Sequence, residues 1–200
     1  MTLLAGACTA AAVALLADEA ELQRGLAAID FPGMLSEPAL GRWRLMPLGD
    51  PSTFLDKGPA LLAIAATAGV SGVYKQTPLL GMLKQHVTKG ATFKGLTGGT
   101  AAGEWWEQRQ LKVITSDLSA GRMCVLPDDL GDVYGVDADE FDVAEGVAQS
   151  MCLPFFFEAA IQQNARTGAK HTIVDGGVLS GFPLWCAPCG TELSRARVAL

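Results

Sequence analysis

Asp175 closes a run, Ile173-Val174-Asp175-Gly176-Gly177-Val178-Leu179, in which two β-branched residues lead into two glycines. The pattern predicts a buried strand that ends in a sharp loop. Consecutive glycines let the backbone turn where a Cβ would clash, so the carboxylate is presented at the strand end. A carboxylate held there can act as a general base or orient a neighbouring group. The same Asp-Gly pair suits an ordinary solvated turn, and the loop alone does not separate the two readings. A second reactive group stands near the start of the chain, in Gly6-Ala7-Cys8-Thr9-Ala10. A thiol at a helix start has a lowered pKa and is a strong nucleophile. A cysteine buried in apolar surroundings is instead only a small core residue.

Other groups carry less. Trp185-Cys186-Ala187-Pro188-Cys189 resembles the W-C-x-P-C motif of thioredoxin-like oxidoreductases. That motif normally opens a helix early in a domain, and only eleven residues follow Cys189 here, so a dithiol redox role through Cys186 and Cys189 is the weakest functional reading. Two cysteines without a nearby histidine do not make a four-ligand zinc site. The two histidines, His86 and His171, sit among lysines and threonines and read as exposed side chains. Asp137-Ala138-Asp139-Glu140 lacks the spacing of a calcium loop and reads as a solvated turn. Neither a metal nor a cofactor is expected.

These groups must be positioned by a chain of 200 residues, half of them hydrophobic and 18% charged. That composition predicts one globular domain with a sizeable core. A net charge of −6 without any basic cluster argues against a nucleic-acid partner. Five cysteines leave one unpaired in any full disulfide scheme, so a reduced, cytoplasmic protein is the simpler expectation. The apolar stretch from Leu3 to Ala17 has no basic residue before it and falls short of the roughly 20 residues a spanning helix needs. It reads as core.

In chain order, residues 6–16 predict an apolar helix, and Asp18 caps a second one to about Ala28. Residues 32–59 carry five prolines and read as an irregular connection. Further helices are expected from Pro59 to Gly69, from Thr77 through Leu79, Leu80, Leu83 and Val87, over 104–108, and from Asp142 to Met151 with Val143, Val147 and Ala148 inward. Strands are expected over Val113–Thr115, over Met123–Leu126 as a hairpin partner, and over Thr172–Val174. Helices alternating with short buried strands indicate a layered α/β domain.

Thr115-Ser116-Asp117-Leu118, Ser150-Met151-Cys152-Leu153-Pro154-Phe155-Phe156-Phe157 and the Asp175-Gly176-Gly177 loop follow one another in the order of three motifs of the patatin-like phospholipase family. These are a strand ending A-T-D-L, a helix ending S-x-x-x-P-x-x-F, and a D-G-G/A loop with the catalytic aspartate. The chain resembles that family well over 111–185 and more loosely over 1–110. The resemblance implies a three-layer α/β/α fold with a mostly parallel central sheet, over a single partial domain spanning residues 1–200. It implies a lipid acyl hydrolase that cleaves carboxylic esters through a nucleophile–Asp dyad, with a lipid or small ester as substrate. Asp175 takes the place of the catalytic aspartate, and Gly176 and Gly177 support it.

The family's nucleophile lies on a strand-to-helix elbow, G-x-S-x-G. This sequence contains no such motif. Gly6-Ala7-Cys8-Thr9-Ala10 opens an alanine-rich helix as the family's G-T-S-A-G-A does, with Cys8 for the serine and Ala10 for the second glycine. Gly99-Thr100-Ala101-Ala102-Gly103 matches the elbow except for alanine at the nucleophile, but no strand is expected before it. The family's G-G-G-x-[KR]-G oxyanion loop has no counterpart in the five residues before Gly6, so the sequence reads as an internal piece of the domain, without its first strand and prone to self-association. A non-catalytic protein of the same fold, binding lipid or a partner and touching a membrane only peripherally, is the alternative reading.

Overall fold

A computed structural model describes residues 7–11, 19–28, 72–94 and 111–179, with positions 15, 30, 33 and 37. The expected helices over 59–69 and 104–108, the 32–59 connection apart from positions 33 and 37, the 99–103 turn, Gly6, and the Cys186 and Cys189 pair lie outside these residues.

Residues 7–11 are helical. Helix α1, Glu19–Ala27, follows, and an ion pair between Glu21 and Lys89 ties it to the later chain. Helix α2 spans Thr77–Met82 with Pro78 in its first turn, where the missing N–H costs nothing. Leu79, Leu83 and Val87 are buried on one side, as their spacing predicts. The segment does not stay α-helical to Val87, however. Leu83–Thr88 is a wider π-helical turn, and the Thr88 hydroxyl donates to Leu83 O at 3.3 Å across it. Lys89 and Gly90, both at positive φ, then end the helix.

Strands β1 (Gly72–Tyr74), β2 (Val113–Asp117), β3 (Arg122–Leu126), β4 (Phe155–Phe157), β5 (Ala160–Gln163) and β6 (Lys170–Asp175) form two groups. β1 pairs with β4 in parallel, and the others make a four-stranded sheet in the order β3-β2-β6-β5. Every pairing in that larger sheet is antiparallel. Among the described residues the sheets are therefore mixed, and the expectation of a mostly parallel sheet is corrected. Two of these three pairings are local, tight hairpins that return the chain at once. In the β2–β3 turn the Asp117 carboxylate accepts from the Ser119 and Ala120 amides, each at 2.9 Å. In the β5–β6 turn Asn164 Oδ1 accepts from the Arg166 and Thr167 amides at 2.8 and 3.0 Å. Parallel strands would need long crossovers instead.

β2 is buried at all five residues because β3 and β6 flank it. Helix α3, Val143–Ser150, packs against β2 and β6. Asp142 caps it by accepting from the Ala144 amide at 2.8 Å, and Val143, Ala144, Val147 and Ala148 point into the core. The α3 interface and the buried faces of β2 and β6 hold the strand end at which Asp175 stands.

Candidate active site

Asp175 is the last residue of β6 and is 4% exposed. Its backbone N–H turns away from β2 and donates to Cys152 O at 2.8 Å, which ties the strand end to the chain leaving α3. Its Oδ1 accepts from the Gly177 amide at 2.6 Å. The short 3-10 turn Gly176–Val178 makes that contact possible. A Cβ at Gly176 would lie 2.2 Å from Ile114 O, so only glycine allows the loop to fold back over β2. The other oxygen, Oδ2, is buried and has no hydrogen-bond partner. Burial raises the Asp175 pKa, and the Gly177 amide offsets part of the rise. A carboxylate in that condition is a stronger base than one in water, which is what a general base at neutral pH requires.

Cys8 lies in the helical residues 7–11, is 2% exposed and belongs to the hydrophobic core. No hydrogen bond joins its thiol to Asp175 among those of the described residues. Burial pushes the Cys8 thiol up to about 11, opposite to the lowered value expected at a helix start. Loss of water around the thiolate is the cause. Ala10 is exposed. The thiol that senses the Asp175 charge is Cys152, raised to about 11 by burial first and with the Asp175 carboxylate adding to the rise. Its Sγ donates to Glu158 O at 3.2 Å.

Cys8, Cys124 and Cys152 are free and buried. At pH 8 iodoacetamide is expected to alkylate Cys8 and Cys152 about a hundredfold or more slowly than an ordinary exposed thiol, with full reaction in denaturant. Peptide mapping by mass spectrometry reads this directly. Rapid labelling of Cys8 in the native protein would show an open, ionised thiol and contradict the burial seen here.

A second polar cluster lies lower on the same sheet. Asp117, 1% exposed, accepts from the Tyr134 hydroxyl at 3.1 Å and meets His171 Nδ1 at 2.7 Å. Tyr134 OH is also 3.3 Å from Cys124 Sγ, and its ring meets His171 edge-on with centroids 5.2 Å apart. His171 is thus half-buried and held, not exposed as its lysine and threonine neighbours suggest. His86 is half-buried too. Among the described residues no group of three or more His, Cys, Asp or Glu side chains could hold a metal ion. No described helix is long and apolar enough to cross a membrane.

Mixed sheets packed by helices, with a buried carboxylate on an Asp-Gly-Gly loop at a strand end, define an α/β protein. Residues 5–187 match the family described as Patatin-like phospholipase, and the chain belongs to that family. It is similar to the protein named "Uncharacterized protein YqhO" of Bacillus subtilis (strain 168), with 49% identity over 79 residues. That alignment covers 40% of this chain and 26% of the relative, so the chain matches about a quarter of the relative's length.

Proposed function

We propose that the protein is a lipid acyl hydrolase acting on carboxylic esters, in the three-layer α/β/α setting of its family, with Asp175 as base and Cys8 as nucleophile. The observation that carries this reading is the Asp175 carboxylate: one oxygen is fixed by the Gly177 amide and the other is buried and free to take a proton. In the first step Oδ2 removes the thiol proton, sulfur attacks the ester carbonyl, and the C–O bond breaks. The leaving alkoxide takes up the proton as an alcohol, leaving a thioester on Cys8. Water, deprotonated by the same carboxylate, then cleaves the thioester to a carboxylic acid and regenerates the thiol. The substrate is a lipid or small ester, reached by peripheral contact with a lipid surface rather than by insertion. The protein acts in the cytoplasm without a cofactor.

The absence of a Cys8–Asp175 hydrogen bond and the high Cys8 pKa favour a second reading, in which the fold binds a lipid or partner without turnover. Incubation with p-nitrophenyl butyrate separates the two. The hydrolase reading expects weak turnover and a butyryl adduct, seen by mass spectrometry, on the peptide that contains Cys8. Cys8→Ala should remove both. Turnover that persists in Cys8→Ala without an adduct would reject Cys8 as nucleophile, and no turnover in the native protein would leave binding as the function.

A further inference from the structure

The β2–β6 register places Thr115 opposite Asp175, Ser116 opposite Val174 and Asp117 opposite Ile173. Just beyond, the Leu118 amide donates to Thr172 O at 2.9 Å. Antiparallel ladders alternate hydrogen-bonded and non-hydrogen-bonded pairs. Residues 118 and 172 form a hydrogen-bonded position, so 116 with 174 is another, and 115 with 175 falls in the other class. The Asp175 amide agrees with this phase, since it points away from β2 to Cys152 O. In a non-hydrogen-bonded pair the Cα atoms are about 4.5 Å apart and the two side chains lie side by side on one face.

Thr115 and Asp175 are therefore the closest cross-strand neighbours the sheet can make. Thr115 is 1% exposed and Asp175 4%. Each carries a buried oxygen without a partner, Thr115 Oγ1 and Asp175 Oδ2. On its other side Thr115 faces Cys124, whose sulfur is engaged by Tyr134. A hydroxyl carries one donor, and an ionised carboxylate oxygen accepts more than one. One bond between the two satisfies both orphaned groups, and the backbones that bring them together are already paired.

We propose that Thr115 is a positioning residue for Asp175: the two oxygens are not bonded in this structure, and a turn of the Thr115 side chain lets its hydroxyl donate to Oδ2 and fix the direction in which that oxygen faces the nucleophile. With the Gly177 amide on Oδ1, the carboxylate is then held at both ends by two different elements, the loop after β6 and the central strand β2. Oδ2 keeps a second lone pair for the proton it receives. This assignment rests on the hydrolase reading for its catalytic meaning, but the hydrogen bond itself does not.

The test uses the full chain labelled with 13Cγ-aspartate, with the Asp175 signal assigned by its loss in Asp175→Asn. A donor to the carboxylate stabilises its charged form. Thr115→Val, of the same shape and without the hydroxyl, should therefore move the Asp175 titration to higher pH, and Thr115→Ser should leave it near the native position. If turnover of p-nitrophenyl butyrate is present, Thr115→Val should lower kcat about tenfold or more. KM should be little changed, the acid limb of the pH–rate profile should move the same way, and Thr115→Ser should restore the rate. If the valine variant does not fold, Thr115→Ala removes the same donor and gives the same reading. An Asp175 titration that stays in place in a folded variant lacking the hydroxyl overturns the proposal, whatever the activity. A titration that moves in a protein with no ester turnover upholds the bond and removes only the hydrolase reading.

Discussion

On the hydrolase reading, Asp175→Asn is expected to abolish ester turnover and, at the same time, to make the protein more stable at neutral pH. The loss follows from the chemistry: a general base contributes typically about 100- to 10,000-fold, and an amide cannot take the proton. The gain follows from burial. Asp175 has its pKa raised by desolvation. A carboxyl whose folded pKa lies above its unfolded value binds more protons when folded. Stability then falls as pH rises through the window between the two values, and the ionised form carries the full penalty above it. Asparagine is neutral throughout. Its oxygen keeps the Gly177 amide, and its N–H group can donate to Thr115 Oγ1. A gain of about 1 kcal/mol is reasonable for replacing a buried charge that desolvation disfavours with a neutral amide, or a rise in Tm of about 2–4 °C for a chain of this size. The gain should shrink as pH is lowered and vanish below about 3.9, the pKa of an unfolded aspartate. Thermal melts of both proteins from pH 3.5 to pH 8 measure it. A neutral-pH Tm that falls in the variant would mean that the charge itself holds the loop, and Asp175 would then be structural.

The same carboxylate shows why some of the molecule is legible in the sequence and some is not. Asp175 was readable because everything that presents it is local: β-branched residues before it and two glycines after it. Helix α3 was readable for the same reason, since Asp142 caps it and Val143 and Val147 repeat at helical spacing. The β2–β3 hairpin followed from two apolar runs with Gly121 between them. Strands β1 and β4 escaped because each has only three residues and they pair across some eighty positions of chain. Nothing local marks such a pair. β5, Ala160–Gln163, is an edge strand with two glutamines and reads as loop. The antiparallel order was hidden behind the resemblance, which led to a parallel sheet. Thr115 looked like any strand residue, because its place opposite Asp175 is a matter of register. His171 looked exposed because its partner, Asp117, lies 54 residues earlier.

Asp117→Ala should be the most damaging single change in the sheet, costing about 3–5 kcal/mol. The Asp117 side chain has no solvent exposure and gathers four donors from three elements. These are the Ser119 and Ala120 amides of the β2–β3 turn, the Tyr134 hydroxyl at 3.1 Å, and His171 Nδ1 on β6 at 2.7 Å. Alanine leaves all four behind, two of them on side chains packed edge to face. A domain typically has only about 5–15 kcal/mol in total, so much of the margin would go. Asp117→Asn should cost less. Its oxygen still serves the turn amides, its N–H group can donate to His171 in the other tautomer, and the Tyr134 hydroxyl can turn to Cys124 Sγ. His171→Ala should cost least, because that ring sits at the rim and Asp117 keeps its other donors. The expected order of destabilisation in urea is therefore Asp117→Ala, then Asp117→Asn, then His171→Ala. An alanine variant within about 1 kcal/mol of the native protein would show that the cluster is not a clamp. Asp117 stands two residues from Thr115 on the same face of β2, and it bonds β6 through His171. The clamp thus adds stability to the β2–β6 pairing, while the main-chain ladder itself sets Thr115 opposite Asp175. Loss of the clamp should lower any ester turnover only in proportion to the folded fraction, which distinguishes it from Asp175→Asn, where the folded protein itself is inactive.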